Sequence, residues 1–143
     1  MIKLSDPYDE NNIFAKILRG ELPSLKLYED EQTLAFMDIM PQVDGHVLVI
    51  PKTPATHLLT LPDEAAGPLL ITTRKVADAV RKAMGAEGVM IAQLSGSDAG
   101  QTVPHIHMHI LPRQSGIDLA FHARDIANMD ELALIADKIK AEL

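Results

Sequence analysis

The sequence predicts a single α+β domain built on a largely antiparallel sheet. Two observations carry that prediction. Five short runs have strand composition and are joined mostly by short loops, and three other segments repeat apolar residues at helical spacing. The length agrees, since 143 residues match one domain at roughly 150 residues each and allow about two-thirds of the unfolded surface to be buried. With 47% apolar and 23% charged residues, a disordered tail or a fibrous repeat is excluded.

The first helix is expected over residues 11–19, where Ile13, Phe14, Ile17 and Leu18 share one face. Gly20 stops it and Pro23 lies beyond its end. Strands follow at 26–28 and 33–37 around the acidic turn Glu29, Asp30, Glu31. After a loop over 41–45, the β-branched run 46–50 forms a third strand closed by Pro51. A long helix is expected to start at Pro62 or Pro68 and end at Met84, with Leu69, Leu70, Val76, Ala77 and Val80 as its apolar stripe. Pro68 suits a first turn, or else it kinks the helix, and Gly85 ends it. The fourth and fifth strands fall at 89–94 and 105–111, separated by the Gly-containing loop 95–103. Asp130 is expected to cap a final helix reaching about residue 142, with Leu132, Ile135, Ala136 and Ile139 inward.

Charge narrows the function classes. Thirteen basic against twenty acidic residues give a net charge of −7, the wrong sign for a protein that tracks nucleic-acid backbones. The absence of cysteine excludes disulfides, thiolate zinc sites and a cysteine nucleophile. No run approaches the ~18 apolar residues of a membrane span, and the first ten residues lack a signal-peptide profile. A cytoplasmic protein that uses neither nucleic acid nor membrane is the expectation.

The chemistry concentrates in His105-Ile106-His107-Met108-His109. Strand alternation puts the three imidazoles on one face and Ile106, Met108 and Ile110 on the other. A lone strand histidine is ordinarily a partnered structural residue, and three in alternation call for a polar cleft. One use is metal: a His-x-His pair with His46 or His57 could hold zinc, although His105 and His109 stand about 13 Å apart along a strand, too far to share one ion. Another is attack on phosphorus. Neutral imidazole can serve as a nucleophile or base and imidazolium as an acid or anion clamp, so one cleft can hold an attacking nitrogen beside cationic or donor groups. The loop before the triad adds hydroxyls, an amide and two glycines that let backbone N–H groups approach an anion.

The run His105-Ile106-His107-Met108-His109-Ile110-Leu111 resembles the histidine triad (HIT) family signature, His-φ-His-φ-His-φ-φ with φ apolar. The similarity extends to Gly100-Gln101-Thr102-Val103, Pro112-Arg113, Ile13-Phe14, the stretch Gly20-Glu21-Leu22-Pro23-Ser24, Leu34-Ala35-Phe36 and Gly45-His46, and it covers about residues 11–113. The resemblance implies a HIT-like fold, a five-stranded antiparallel sheet with helices, paired as a dimer. It implies hydrolysis or transfer at the α-phosphate of a purine nucleotide substrate, either a nucleoside phosphoramidate or a dinucleoside polyphosphate, with no cofactor. By position His107 would be the nucleophile forming a nucleotidyl-histidine. His109 would sit against the phosphate, His105 would support the array, and His46 would be the fourth histidine. Asp38 would accept from the ribose hydroxyls, with Phe36, Ile39 and Leu48 around the base. Gln101, Thr102 and Val103 would contact phosphate or leaving group, and Ser95 would replace an Asn or Gln of relatives. Some relatives hold structural zinc through a Cys-x-x-Cys; Asn12, Ala15 and Thr53-Pro54 stand at its ligand positions, so no structural zinc is expected.

Two other classes are kept beside this reading: a non-catalytic nucleotide-binding or scaffolding module, and a zinc-dependent hydrolase. A homodimer is expected through the apolar-rich helix at about 68–84 and the adjoining sheet edge. His57 and His122 match no family position and are read as surface or structural residues.

Overall fold

The computed structural model describes residues 1–120 and 125–143; His122 lies outside the described residues. Five strands, β1 (Lys26–Glu29), β2 (Thr33–Met37), β3 (Val47–Pro51), β4 (Gly88–Ala92) and β5 (Met108–Arg113), form one antiparallel sheet in the order β1-β2-β3-β5-β4. The helices are α1 (Ile13–Leu18), α2 (Asp63–Met84) and α3 (Met129–Lys140). The predicted α+β class and antiparallel sheet are therefore present. Among the described residues no helix is long and apolar enough to cross a membrane.

Strand alternation divides the sheet into two unequal faces. Ala35, Met37, Val47, Val49 and Ile110 point into the main core beneath α2 and α3, where they meet Leu69, Val76, Val80, Leu132 and Ile139. Burying each large aliphatic side chain contributes on the order of 1.5–3 kcal/mol. Leu34, Phe36, Leu48 and Ile50 point the other way, into a smaller cluster closed by Phe14 of α1. That second face has less helical cover, and the candidate site lies there.

Helix α2 begins at Asp63, so Pro68 lies within it. The hydrogen bond lost at Pro68 would have gone to the carbonyl of Glu64 in the exposed first turn, where water can take its place. Asp63 and Glu64 at the start and Arg81 and Lys82 at the end complement the helix dipole, and Gly85 closes it at φ 62°. Leu70, expected in the apolar stripe, is 63% exposed. Position 70 follows Leu69 by 100° around the helix, and buried Thr72 and Thr73 complete the inward face in its place. The hydroxyls of Thr33 and Thr72 bond across this interface at 2.7 Å.

Several boundaries differ from the sequence reading: α1 is shorter at both ends, and β3 includes Pro51 instead of stopping before it. The last helix starts at Met129, capped by Asn128, whose side chain accepts from Asp130 and Glu131; Asp130 instead sits in the first turn. Strand β4 ends at Ala92, leaving Gln93 and Leu94 in the loop. Strand β5 starts at Met108, so His105 and His107 precede the strand. The register pairs Val49 with Met108, which would set Pro51 against Ile106. Proline has no N–H to continue the ladder, and the Ile106 N–H instead bonds the Ala55 carbonyl at 2.9 Å.

Candidate active site

The β2–β3 connection, the start of β5 and the segment before it converge on the open face. Asp38 follows β2 and His46 precedes β3, and the Asp38 N–H donates to the His46 carbonyl at 3.1 Å. Gly45 makes this tight return at φ 92°; a Cβ there would lie 2.8 Å from Met84 Cγ. His109 opposes Leu48 across β3 and shares its face of the sheet. His46 Nε2 lies 2.9 Å from His109 Nδ1, and the His107 and His109 ring centroids are 4.9 Å apart.

Backbone partners fix the tautomers. The Gln42 N–H donates to His46 Nδ1 at 3.1 Å, so in neutral His46 the proton sits on Nε2 and is donated to His109 Nδ1. His109 then carries its own proton on Nε2. For His107 the order is reversed: Nδ1–H donates to the His105 carbonyl at 2.7 Å, leaving the Nε2 lone pair free. His105 Nε2–H donates to the Pro51 carbonyl at 2.9 Å, and its Nδ1 accepts from the Tyr8 hydroxyl at 2.6 Å. Three neutral imidazoles thus have three assigned roles: lone pair outward at His107, N–H outward at His109, and both nitrogens engaged at His105.

Burial keeps them neutral. Desolvation pushes His46 and His105 down to about 4 and His109 to about 3, with further lowering from the nearby His107. Burial lowers His107 as well, opposed by its bond to the His105 carbonyl. The same desolvation raises Asp38 to about 6, opposed by the Met40 N–H that donates to its carboxylate. The 3.5 Å approach of His46 Nε2 to Asp38 is therefore a neutral imidazole beside a carboxylate, and no ion pair.

A cavity of about 270 Å³ opens between these groups and α1. Ile13, Phe14, Ile17, Phe36 and Leu48 line its apolar end, while Asp38, His107 and His109 supply polar groups beside Thr102 and Val103. Of the expected site residues, Phe36, Asp38, Ile39, Leu48, Thr102, Val103, His107 and His109 reach this lining. His46 and His105 stand behind it as hydrogen-bond partners. Gln101 and Ser95 are not among the lining residues. Gln101 is buried and holds the loop together, donating to the Thr56 and Val103 carbonyls and accepting from the Gly96 N–H. Ser95 donates to the Gln93 side chain. Ile13, Ile17, Pro23, Ser24 and Gln42 also line the cavity and were not assigned to the site from sequence; the periodicity of the first helix identified an apolar face without showing that part of it is left for a ligand.

His57 is a structural residue and not a surface one: it is 1% exposed, with Nε2 bonded to the Leu4 carbonyl. Among the described residues, the zinc arrangement that a His-x-His pair with His46 or His57 could have made does not form. The metal-type donors that converge are Asp38, His46 and His109, within 4.8 Å of one another. Here the Gln42 amide opposes an ion, because metal on His46 Nε2 would force the ring proton onto Nδ1, facing that N–H. A structural zinc has no fit either. Ala15 offers no donor atom, and the Asn12 side chain already caps α1 and donates to Tyr8.

An open antiparallel sheet carrying a cavity with an apolar end and a row of tautomer-fixed imidazoles defines a histidine-array site for a small ligand. The HIT domain model matches residues 19–116, and the chain belongs to the HIT domain family. A HIT-like protein from Bartonella henselae, crystallised with an unknown ligand, superposes with a TM-score of 0.90 at 45% identity, covering 96% of this chain and 100% of that one. A zinc-bound histidine triad family protein from Mycobacterium smegmatis gives 0.81 at 35% identity, covering 92% of each chain. The adenosine 5'-monophosphoramidase of Candida albicans is 33% identical over 138 residues, covering 92% of this chain and 90% of that protein.

Proposed function

We propose that this protein is a nucleotide hydrolase and nucleotidyl transferase acting at the α-phosphate of a purine nucleotide, through a nucleotidyl-histidine on His107. The observation that carries the reading is the tautomer of His107: its Nδ1–H is held by the His105 carbonyl, which leaves Nε2 as an in-plane nucleophile beside the His109 N–H. The named activity of the Candida albicans relative makes a nucleoside phosphoramidate the first substrate class to test, with dinucleoside polyphosphates second.

The purine enters the apolar end between α1, Phe36 and Leu48. Asp38, ionised above pH ~6, accepts from the ribose hydroxyls, each charge-assisted bond contributing on the order of 1.5–3 kcal/mol. The α-phosphate then meets His107 and His109, with Thr102 and Val103 alongside. His107 Nε2 forms the N–P bond as the bond to the leaving group breaks, and the departing amine or nucleoside polyphosphate takes up a proton from water. His109 Nε2–H steadies the phosphoryl oxygens without carrying a full charge. Water attacks in the second step, releasing the nucleoside monophosphate and restoring His107. No metal or redox cofactor takes part in this scheme.

We place the homodimer contact on the outer face of α2 and the β4 edge. Leu70 and Ile71 on the helix and Met90 and Ile91 on the edge strand are all exposed, and pairing with a second copy would cover them. The compartment expected for the protein is the cytoplasm.

The test is turnover of a fluorogenic adenosine phosphoramidate measured beside AMP binding. Turnover that disappears in His107→Ala while AMP still binds supports the enzyme. AMP binding without turnover by the unaltered protein would make it a binding module instead, and turnover abolished by a chelator would favour a zinc hydrolase.

A further inference from the structure

The residues that carry the nucleophile are not held by the sheet. Residues 105–107 precede β5, and the proline opposite Ile106 cannot extend the ladder to them. Their main-chain anchor is the Ile106 N–H on the Ala55 carbonyl. The Ile106 side chain is buried in the main core, and the remaining polar anchors come from the His105 side chain, which is fully buried and held at both ring nitrogens, by the Pro51 carbonyl on one side and the Tyr8 hydroxyl on the other.

Tyr8 belongs to an irregular segment, residues 2–12, that lies against this part of the site. Ile2 pairs with Ser97 in both directions, its N–H donating to the hydroxyl and its carbonyl accepting from the Ser97 N–H. The Leu4 carbonyl accepts from His57, and the Leu4 side chain packs against Gly96. Asn12 closes the segment, with its side-chain oxygen capping α1 and its side-chain N–H donating to the Tyr8 hydroxyl at 3.0 Å. The direction of the Tyr8 bond follows. His105 Nε2 must be protonated to meet a carbonyl, so Nδ1 is an acceptor, and the Tyr8 hydroxyl receives from Asn12 and donates to His105.

We infer that Tyr8 is a positioning residue for catalysis. By fixing the His105 ring it fixes the His105 carbonyl, and that carbonyl holds the proton of His107 on Nδ1 and its lone pair toward the substrate. The segment 2–12 thus does for the nucleophile what ladder hydrogen bonds do for His109. The inference rests on the reading of His107 as the nucleophile.

The variants Tyr8→Phe and Asn12→Asp test it. Phe keeps the ring and removes the donor. Asp keeps the helix cap, removes the N–H donor and offers the Tyr8 proton a competing carboxylate. Both should lower kcat by about ten- to a hundredfold, the scale of a small displacement in a reacting group, while the Kd for AMP stays within about twofold, well under the tenfold that 1.4 kcal/mol represents. In wild-type protein labelled with ¹⁵N-histidine, His107 should show a protonated Nδ1 and an unprotonated Nε2. In both variants its two ring signals should move toward each other as the tautomers mix. A variant that lowers Tm yet keeps wild-type kcat and wild-type His107 ring signals overturns the inference. So does a wild-type spectrum with His105 protonated on Nδ1, which requires no variant to fold. Turnover surviving in His107→Ala would defeat the nucleophile reading, whereas loss in His107→Ala with wild-type kcat in Tyr8→Phe would defeat the positioning role alone.

Discussion

The two faces of the sheet place opposite demands on the same strands. Beneath α2 and α3, Ile110 and Val49 are fully buried in an apolar layer, and removing water from them stabilises the fold without condition. On the open face, His109 stands just before Ile110 in β5 and Leu48 just before Val49 in β3, and there burial of imidazoles opposes their protonation. One face resists change in solution conditions; the other trades that robustness for groups whose protonation state is defined. The comparison teaches that the geometry of the histidine site rests on the packed face, one residue away along the chain.

The sharpest contrast is between neighbouring substitutions. On the open face, His107→Ala should cut turnover by several orders of magnitude, since groups acting as one catalytic unit fail together, while the variant remains folded and still binds AMP. On the packed face, Ile110→Ala should cost about 2–5 kcal/mol of stability, read by denaturant unfolding, and leave the Kd for AMP unchanged in protein that remains folded. Exchange of these two outcomes would break the division between faces.

The pH dependence is smaller and belongs to the open face, where the histidines and Asp38 act with opposite signs. His46, His105 and His109 titrate near 4, 4 and 3 in the folded protein because burial disfavours their charged forms, against about 6.5 in the unfolded chain. The stability this gives is complete above pH ~6.5 and is lost as pH falls toward 4, because the unfolded chain then binds more protons. Asp38, raised by burial to about 6, works the other way: its contribution is complete below about 4 and is lost as pH rises through 6. Three imidazoles outweigh one carboxyl, so Tm should fall on acidification from pH 7 to 4. A Tm constant across that range would remove the claim that these histidines are buried and neutral.

Asp38 also gives binding a pH limb. Below pH ~6 its carboxyl is protonated and accepts less well from the ribose, so the KM for a ribonucleotide substrate should rise as pH falls through 6. Asp38→Asn should abolish that limb and weaken ribonucleotides more than their 2'-deoxy counterparts. Equal losses for both sugars would take Asp38 away from the ribose.

Much of this arrangement was legible in the sequence, for physical reasons that can be named. The runs 33–37 and 47–51 are apolar enough to be buried on both faces, so their strands were readable, and alternation correctly set Ile106 and Ile110 apart from the histidines. What was not legible depended on partners distant in the chain. That β5 begins at Met108 follows from its register against Pro51, and register is a tertiary property. Gln101 looks like a phosphate contact in the loop, but its amide is taken up by Thr56 and Val103 carbonyls and the Gly96 N–H. Tyr8 lies 97 residues from His105 along the chain, in a segment with no periodicity to draw attention to it. Residues of the histidine row announce themselves by spacing; residues that fix its tautomers do not.

The central claim is that His107 Nε2 carries the nucleotidyl group between the two steps. The direct measurement is rapid acid-free quench of the working enzyme on an adenosine phosphoramidate, followed by intact mass and peptide mapping. Protein heavier by one adenylyl group, with the label on the peptide containing His107 and absent from His107→Ala, is the result expected. Turnover at full rate with no adduct at any quench time, or an adduct mapped to His109, would contradict it.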